Sequence, residues 1–195
     1  MRETSVMFDK TLEDHINCFK KLDRLRGPID KAANMIISAL MAGQKILICG
    51  NGGSASDAQH FAAEIVGRFT RERSAWPALA LNTDTSILTA VANDYGFENI
   101  FSRQVEALGQ PDDVLIGIST SGNSENIIRA VHQAKRMGMQ TIALTGEGGG
   151  MLDGAADTAV SVPSDVTARI QEAHIFILHF WADATEAALL ANEES

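Results

Sequence analysis

Two short segments and two helical residue pairs hold the side chains of this sequence that could do chemistry. Ser119-Thr120-Ser121-Gly122-Asn123-Ser124 places four hydroxyls and a glycine immediately before a helical stretch opening Glu125-Asn126-Ile127-Ile128. A helix N-terminus has free N–H groups and a partial positive charge, so it attracts anions. Hydroxyls add donors, and Gly122 lets the backbone curl towards a ligand. A plain N-cap would need one of these hydroxyls rather than four. The segment therefore reads as a phosphate cradle that needs no lysine or arginine.

Gly50-Asn51-Gly52-Gly53-Ser54-Ala55-Ser56 is the second segment, and it satisfies the G-x-G-x-x-A dinucleotide pattern through Gly50, Gly52 and Ala55. A ribose-binding acid should follow about 20 residues on, at the end of the next strand. The nearest acid there, Asp84, lies 34 residues past Gly50. A nicotinamide enzyme is thus a minor alternative, and a tight turn needing glycine for backbone reasons is another.

His60 and Glu64 are four residues apart, so both project from one helical face. An imidazole and a carboxylate on adjacent turns are half a zinc site, half an acid–base pair, or a surface i,i+4 pair. Asp57, one turn earlier, either orients His60 or favours the helix dipole. Gln171 and His179, eight apart, share an apolar stripe with Ile175 and Leu178 and so require hydrogen-bonding or ligation partners. His15 and His132 read as surface residues, His174 as surface or subunit contact.

Apolar periodicity supplies the elements that must position these groups. Ile16, Phe19, Leu22 and Leu25 form one helical stripe within Thr11–Ala42; beyond Gly27-Pro28, Ala32, Met35, Ile36, Leu40 and Met41 form another. Short apolar strands are expected at Lys45–Cys49, Ala78–Leu81, Asp113–Ile118, Thr141–Leu144 and, more weakly, Thr158–Val162. Helices are expected at Ser54–Arg68, Thr85–Ala92, Asn99–Leu108, Ser124–Met137 and Ala168–Leu190. Strands apolar throughout and alternating with helices specify a doubly wound α/β domain around a parallel sheet. Ligands bind such sheets at the carboxyl ends of the strands, where both glycine-containing segments fall. Residues 1–42 read as N-terminal helices packing on the domain or on a partner subunit, and 43–195 as one structural unit. Gly146–Gly150 reads as a mobile loop.

The 195-residue chain carries 25 acidic and 16 basic side chains, a formal net charge of −9 that argues against nucleic-acid or anionic-membrane partners. Cys18 and Cys49 match no metal or redox spacing. No signal-like segment and no apolar run of membrane-spanning length is evident, which leaves a cytoplasmic location as the expectation.

GNGGSASDAQHFAAEIVGRF, LNTDTSILTAVANDYGFENIFSRQVEALG, ISTSGNSENI and TARIQEAHIFILH together resemble the phosphoheptose isomerases of the sugar isomerase (SIS) domain family, from about Phe8 to Leu190. The resemblance implies a flavodoxin-like five-stranded sheet, a homotetramer and one zinc per subunit. It also implies conversion of sedoheptulose 7-phosphate to D-glycero-D-manno-heptose 7-phosphate, the first step towards ADP-heptose for lipopolysaccharide or capsule. Carried over by position, zinc falls to His60, Glu64, Gln171 and His179. Substrate falls to Asn51, Gly52, Gly53, Glu64, Asn93, Asp94, Ser119, Thr120, Ser121, Ser124 and Gln171. Moving a proton between C1 and C2 through an enediol needs a base and an acid near neutral pKa, and Glu64 and His179 are the expected catalytic pair. Arg68 matches a further position near the site, unless it only pairs with Glu64. A non-catalytic SIS relative that binds the replication initiator DnaA resembles much of the same text. It lacks counterparts of Glu64 and His179.

Overall fold

Strand order in the computed structural model, which describes residues 2–193, is β2-β1-β3-β4-β5, all parallel. The strands are β1 (Ile46–Gly50), β2 (Ala78–Ala80), β3 (Val114–Ser119), β4 (Gln140–Thr145) and β5 (Thr158–Ser161). The helices are α1 (Arg2–Lys21), α2 (Arg26–Met41), α3 (Gly53–Val66), α4 (Thr85–Tyr95), α5 (Ser102–Leu108), α6 (Glu125–Arg136), α7 (Gly150–Ala155) and α8 (Thr167–Glu193). The order is that of flavodoxin-like sheets, and its reversal point lies between β1 and β3. The expected five-stranded, doubly wound architecture is therefore the observed one.

Alternation along the strands divides the core in two. Ile46, Ile48, Val114, Ile116, Ile118, Ile142 and Leu144 point to one face, where they join Ala32 and Ile36 of α2, Phe61 and Ile65 of α3, and Ile177 and Trp181 of α8. Leu47, Cys49, Leu115 and Ala143 point to the other, against Val105 of α5, Ile127, Val131 and Ala134 of α6, and Leu152 of α7. Because both faces are covered, every residue of β1 and β3 is buried, which is why these strands read as unbroken apolar runs. Edge strand β2 is shorter than expected, and its central Leu79 is exposed.

The helical N-terminus breaks at a 3-10 turn, Leu22–Leu25, slightly before Gly27-Pro28. Pro28 falls in the first turn of α2, where a missing N–H leaves no intrahelical bond unmade. Helix α2 is a layer of the main core, whereas α1 lies along α8 with most of its surface open.

Two expectations fail. Gly146–Gly150 is not a loose loop: its end opens α7, and it packs tightly under the segment following β3. The Gly146 N–H donates to the Thr120 carbonyl, and the Leu152 N–H to the Gly122 carbonyl, at 3.0 and 3.1 Å. A Cβ on Gly122, whose φ is +65°, would collide with the Gly149 backbone. The glycines serve close approach rather than freedom. His174, expected at the surface or in a subunit contact, is fully buried within the chain in α8, with Nε2 at 3.0 Å from the Thr145 carbonyl oxygen and no partner for Nδ1. Burial pushes its pKa down to about 4, against the opposing effect of the Thr145 hydrogen bond, so the ring is neutral at physiological pH.

Candidate active site

The loop after β3 is compact and hydroxyl-lined. Ser119, the last strand residue, is buried, and its Oγ lies 2.9 Å from Ser124 Oγ and 3.4 Å from Ser121 Oγ. Ser121 Oγ accepts from the Asn123 N–H, and Asn123 Oδ1 from the Met151 N–H of α7. Thr120 is half-buried beneath the Gly146 contact. Ser124 sits at the N-cap of α6 without a capping bond from its side chain, since its hydroxyl turns to Ser119. The three serine hydroxyls thus cluster at the N-terminus of a 12-residue helix, the setting an anion cradle requires.

This loop is tied to the one after β1. Asn51 and Asn126 exchange two amide hydrogen bonds, each 2.9 Å. Gly52, with φ +56°, turns the chain into α3. Gly53 opens that helix directly beneath Gln171 of α8, whose side-chain amide occupies the space a Cβ would fill. The loop that resembled a dinucleotide motif therefore abuts the hydroxyl cradle.

Further along α3, His60 Nε2 lies 2.9 Å from Glu64 Oε1 and 3.3 Å from Nε2 of His179 on α8. One ligand atom from each of the three falls within 4.8 Å of the others. The two helices therefore meet, which spacing alone did not establish. Two imidazole nitrogens facing at 3.3 Å need a proton or a cation between them. Tetrahedral coordination with metal–nitrogen bonds of about 2.05 Å would set them about 3.3 Å apart. The donor set accordingly fits a divalent metal.

The remaining expected residues are placed as follows. Gln171 lies two helical turns before His179, its amide over Gly53 rather than turned to the imidazoles. Asn93 and Asp94, at the exposed end of α4, hydrogen-bond to each other at 2.7 Å instead of to either loop. Arg68 approaches Glu72 at 3.5 Å, so the expected alternative pairing with Glu64 is not formed. Asp57 is half-buried, and Oδ2 has no hydrogen-bond partner. Burial pushes its pKa up to about 6, against the lowering influence of His60.

Several residues at the site were not anticipated. Phe69 places its ring 5.4 Å from that of His179. The segment carrying it wraps around Glu186, a buried carboxylate on α8 that is paired with Arg73. Burial alone would raise the Glu186 pKa, but the hydrogen bonds from the backbone and hydroxyl of Thr70 and the backbones of Phe69 and Arg71 outweigh it and hold the group ionised below the usual range. The one available signal was an acid inside the apolar run after Trp181. Asn126 gave no signal beyond its place in the first turn of a helix.

A hydroxyl-lined cradle and a cluster of two imidazoles and a carboxylate, joined through α3, can grip an anion at one end of a ligand and move protons at the other. Comparison with known proteins identifies the family. The SIS domain family matches residues 12–146. A phosphoheptose isomerase of Campylobacter jejuni is 54% identical over 173 residues, covering 89% of this chain and 93% of that protein. One of Helicobacter pylori is also 54% identical, over 86% and 87% of the two chains. The solved phosphoheptose isomerase from Neisseria gonorrhoeae superposes with a TM-score of 0.90 at 45% identity, covering 94% of this chain and 99% of its own. The chain belongs to the SIS domain family and, within it, to the phosphoheptose isomerases.

Proposed function

We propose that the chain converts sedoheptulose 7-phosphate to D-glycero-D-manno-heptose 7-phosphate, with the Ser119–Ser124 loop holding the phosphate and the His60–Glu64–His179 cluster at the reacting carbons. The single observation that carries this reading is the meeting of His60, Glu64 and His179 on a chain about half identical to phosphoheptose isomerases along nearly its whole length. Helix α3 supports it: His60 lies seven residues, about 10 Å, along the helix from Gly53 beside the cradle, room for an extended sugar between the two ends.

Ketose-to-aldose conversion removes a proton from C1. The electron pair left behind forms the C1–C2 double bond of an enediol as O2 takes a proton. A proton then goes to C2 while O1 loses its own and C1 becomes the aldehyde. Glu64 is the base at C1 and His179 the acid towards O2, each within the cluster that faces the sugar. His60 pairs with Glu64 and fixes one carboxylate oxygen, leaving the second for the proton. Ser119, Thr120, Ser121 and Ser124, with the free N–H groups of α6, neutralise the phosphate without a basic residue. Asn51, Gly52 and Gly53 line the junction between the two ends, and Asn93 and Asp94 are assigned to the sugar hydroxyls.

Zinc is the proposed cofactor, one per subunit, held by His60, Glu64 and His179 with Gln171 as a fourth ligand if its amide leaves Gly53; when bound it supplies a Lewis acid at the carbonyl oxygen. A group held on zinc cannot at that moment act as base or acid, so Glu64 and His179 must leave the ion as they move protons. An amide oxygen is a weak zinc ligand, which favours such a shifting, exchangeable ligand set over a purely structural ion. No helix among the described residues is long and apolar enough to cross a membrane, and a cytoplasmic homotetramer is the proposed working form. Val6, Met7 and Phe8 of α1 and Phe176 and Phe180 of α8, all uncovered, support subunit packing there.

The test is incubation of the chain with sedoheptulose 7-phosphate, with and without a chelator. Aldose formation that chelation suppresses and zinc restores is expected. No aldose from zinc-loaded protein would overturn the assignment.

A further inference from the structure

The two helices that carry the donor cluster are joined a second time, by charges that the proposed reaction does not use. Arg73 and Glu186 are 0% and 1% exposed and meet at 3.2 Å. Oε1 of Glu186 accepts from the Phe69 N–H at 2.7 Å, and Oε2 accepts from the Thr70 and Arg71 N–H groups at 2.9 Å and the Thr70 hydroxyl at 3.2 Å. One carboxylate thus satisfies three consecutive backbone donors in chain that belongs to no helix or strand.

Arg73 completes the fastening on the other side. Its Nη2 donates to the Glu64 carbonyl at 2.7 Å, and its Nη1 to the carbonyls of Gly67 and Ser74 at 3.0 Å. The guanidinium is stacked 3.8 Å over the Trp76 ring. It therefore grips the last turn of α3 at the residue whose carboxylate enters the cluster. Glu186 lies seven residues, two turns, beyond His179 on the same face of α8. Between the two, the ring of Phe69 rests against the His179 imidazole.

A buried ion pair is weak evidence for stability, because desolvation consumes most of the attraction, but its geometry fixes what it joins. Here it joins the Glu64 end of α3 to the His179 helix. A slip of either would change the 3.3 Å separation between the ring nitrogens of His60 and His179. Building on the reading of His60, Glu64 and His179 as the metal and acid–base cluster, we propose that Glu186 and Arg73 are positioning residues that seat Phe69 against His179 and hold the two halves of that cluster at coordinating distance.

The experiment uses the full-length chain and zinc ion alone, titrated in competition with a chromogenic chelator, alongside kcat and KM for sedoheptulose 7-phosphate. Glu186→Gln turns an amide towards N–H donors. It should weaken zinc binding about tenfold to a hundredfold, the range seen when residues supporting metal ligands are lost. It should lower kcat with little change in KM, and speed amide exchange at Phe69, Thr70 and Arg71. Asp113→Asn is the matched control: Asp113 is an equally buried ion-pair partner, of Lys45, before β3 and at the opposite ends of the strands. It should lower thermal stability and leave zinc affinity unchanged. Phe69→Leu keeps the backbone clamp and removes the ring. It should reproduce the kcat and zinc losses in part, and it decides the matter should Glu186→Gln not fold. Zinc affinity and kcat in Phe69→Leu and in folded Glu186→Gln no lower than in Asp113→Asn would overturn the proposal. A wild-type chain that neither binds zinc nor turns over would instead overturn the reading of the site itself.

Discussion

Asn51 and Asn126 face each other across the ends of β1 and β3, each side-chain amide donating to the other's oxygen at 2.9 Å. Neither side chain forms part of the donor cluster or the hydroxyl row, yet the pair sets one loop relative to the other. Replacing Asn126 leaves the partly buried Asn51 amide without either of the hydrogen bonds it makes to that partner, at a cost of about 1–3 kcal/mol. Asn126→Ala should therefore raise KM for the sugar phosphate by about tenfold and reduce kcat less, as steady-state kinetics would show. An unchanged KM would mean that the loops hold their places without the pair.

Gly122 makes a sharper prediction. A side chain there meets the Gly149 backbone and must adopt φ +65°, which costs about 1–2 kcal/mol for an L-residue before any collision is counted. Gly122→Ala should push the Gly149–Gly150 segment away from the cradle. Affinity for inorganic phosphate, measured by calorimetry, should fall along with the melting temperature. Retention of both would show that the cradle tolerates a wider opening.

His174 predicts a pH dependence of stability. Its folded pKa, about 4, lies below the ordinary value of 6.5, so the unfolded chain takes up a proton that the folded chain refuses. Stability is fully present above about 6.5 and is lost as pH falls towards 4, by about 3 kcal/mol in all. Urea unfolding between pH 7 and 4 should show this slope, and His174→Gln should flatten it. Equal slopes in both proteins would assign the acid sensitivity to other groups.

Much of this was legible in the residues because burial on both faces leaves a plain signature: β1 and β3 read as unbroken apolar runs, and the hydroxyl cluster announced its loop. Other features follow no local rule. The glycines of Gly146–Gly150 look like freedom in a sequence, whereas here they permit backbones to touch, and composition does not separate the two. Reading His174 as a surface or subunit-contact residue fails because α8 is buried on a broad face that includes Ala173, Ile177, Leu178, Trp181, Thr185 and Glu186. Arg73 and Glu186 are 113 residues apart, and no spacing rule pairs them. The approach of His60 to His179 also required the fold, since each helix alone offers only half of the cluster.

The most direct measurement is turnover of sedoheptulose 7-phosphate in deuterated water by the wild-type chain and by Glu64→Gln, followed by NMR at C2 of the aldose. Wild-type product should carry solvent deuterium at C2, delivered from the base. Glu64→Gln should lose turnover and exchange together by about a hundredfold to ten-thousandfold, the range for a positioned acid–base group. Aldose formed by Glu64→Gln at the wild-type rate would contradict the assignment of Glu64 as the base, and with it the proposed chemistry of the cluster.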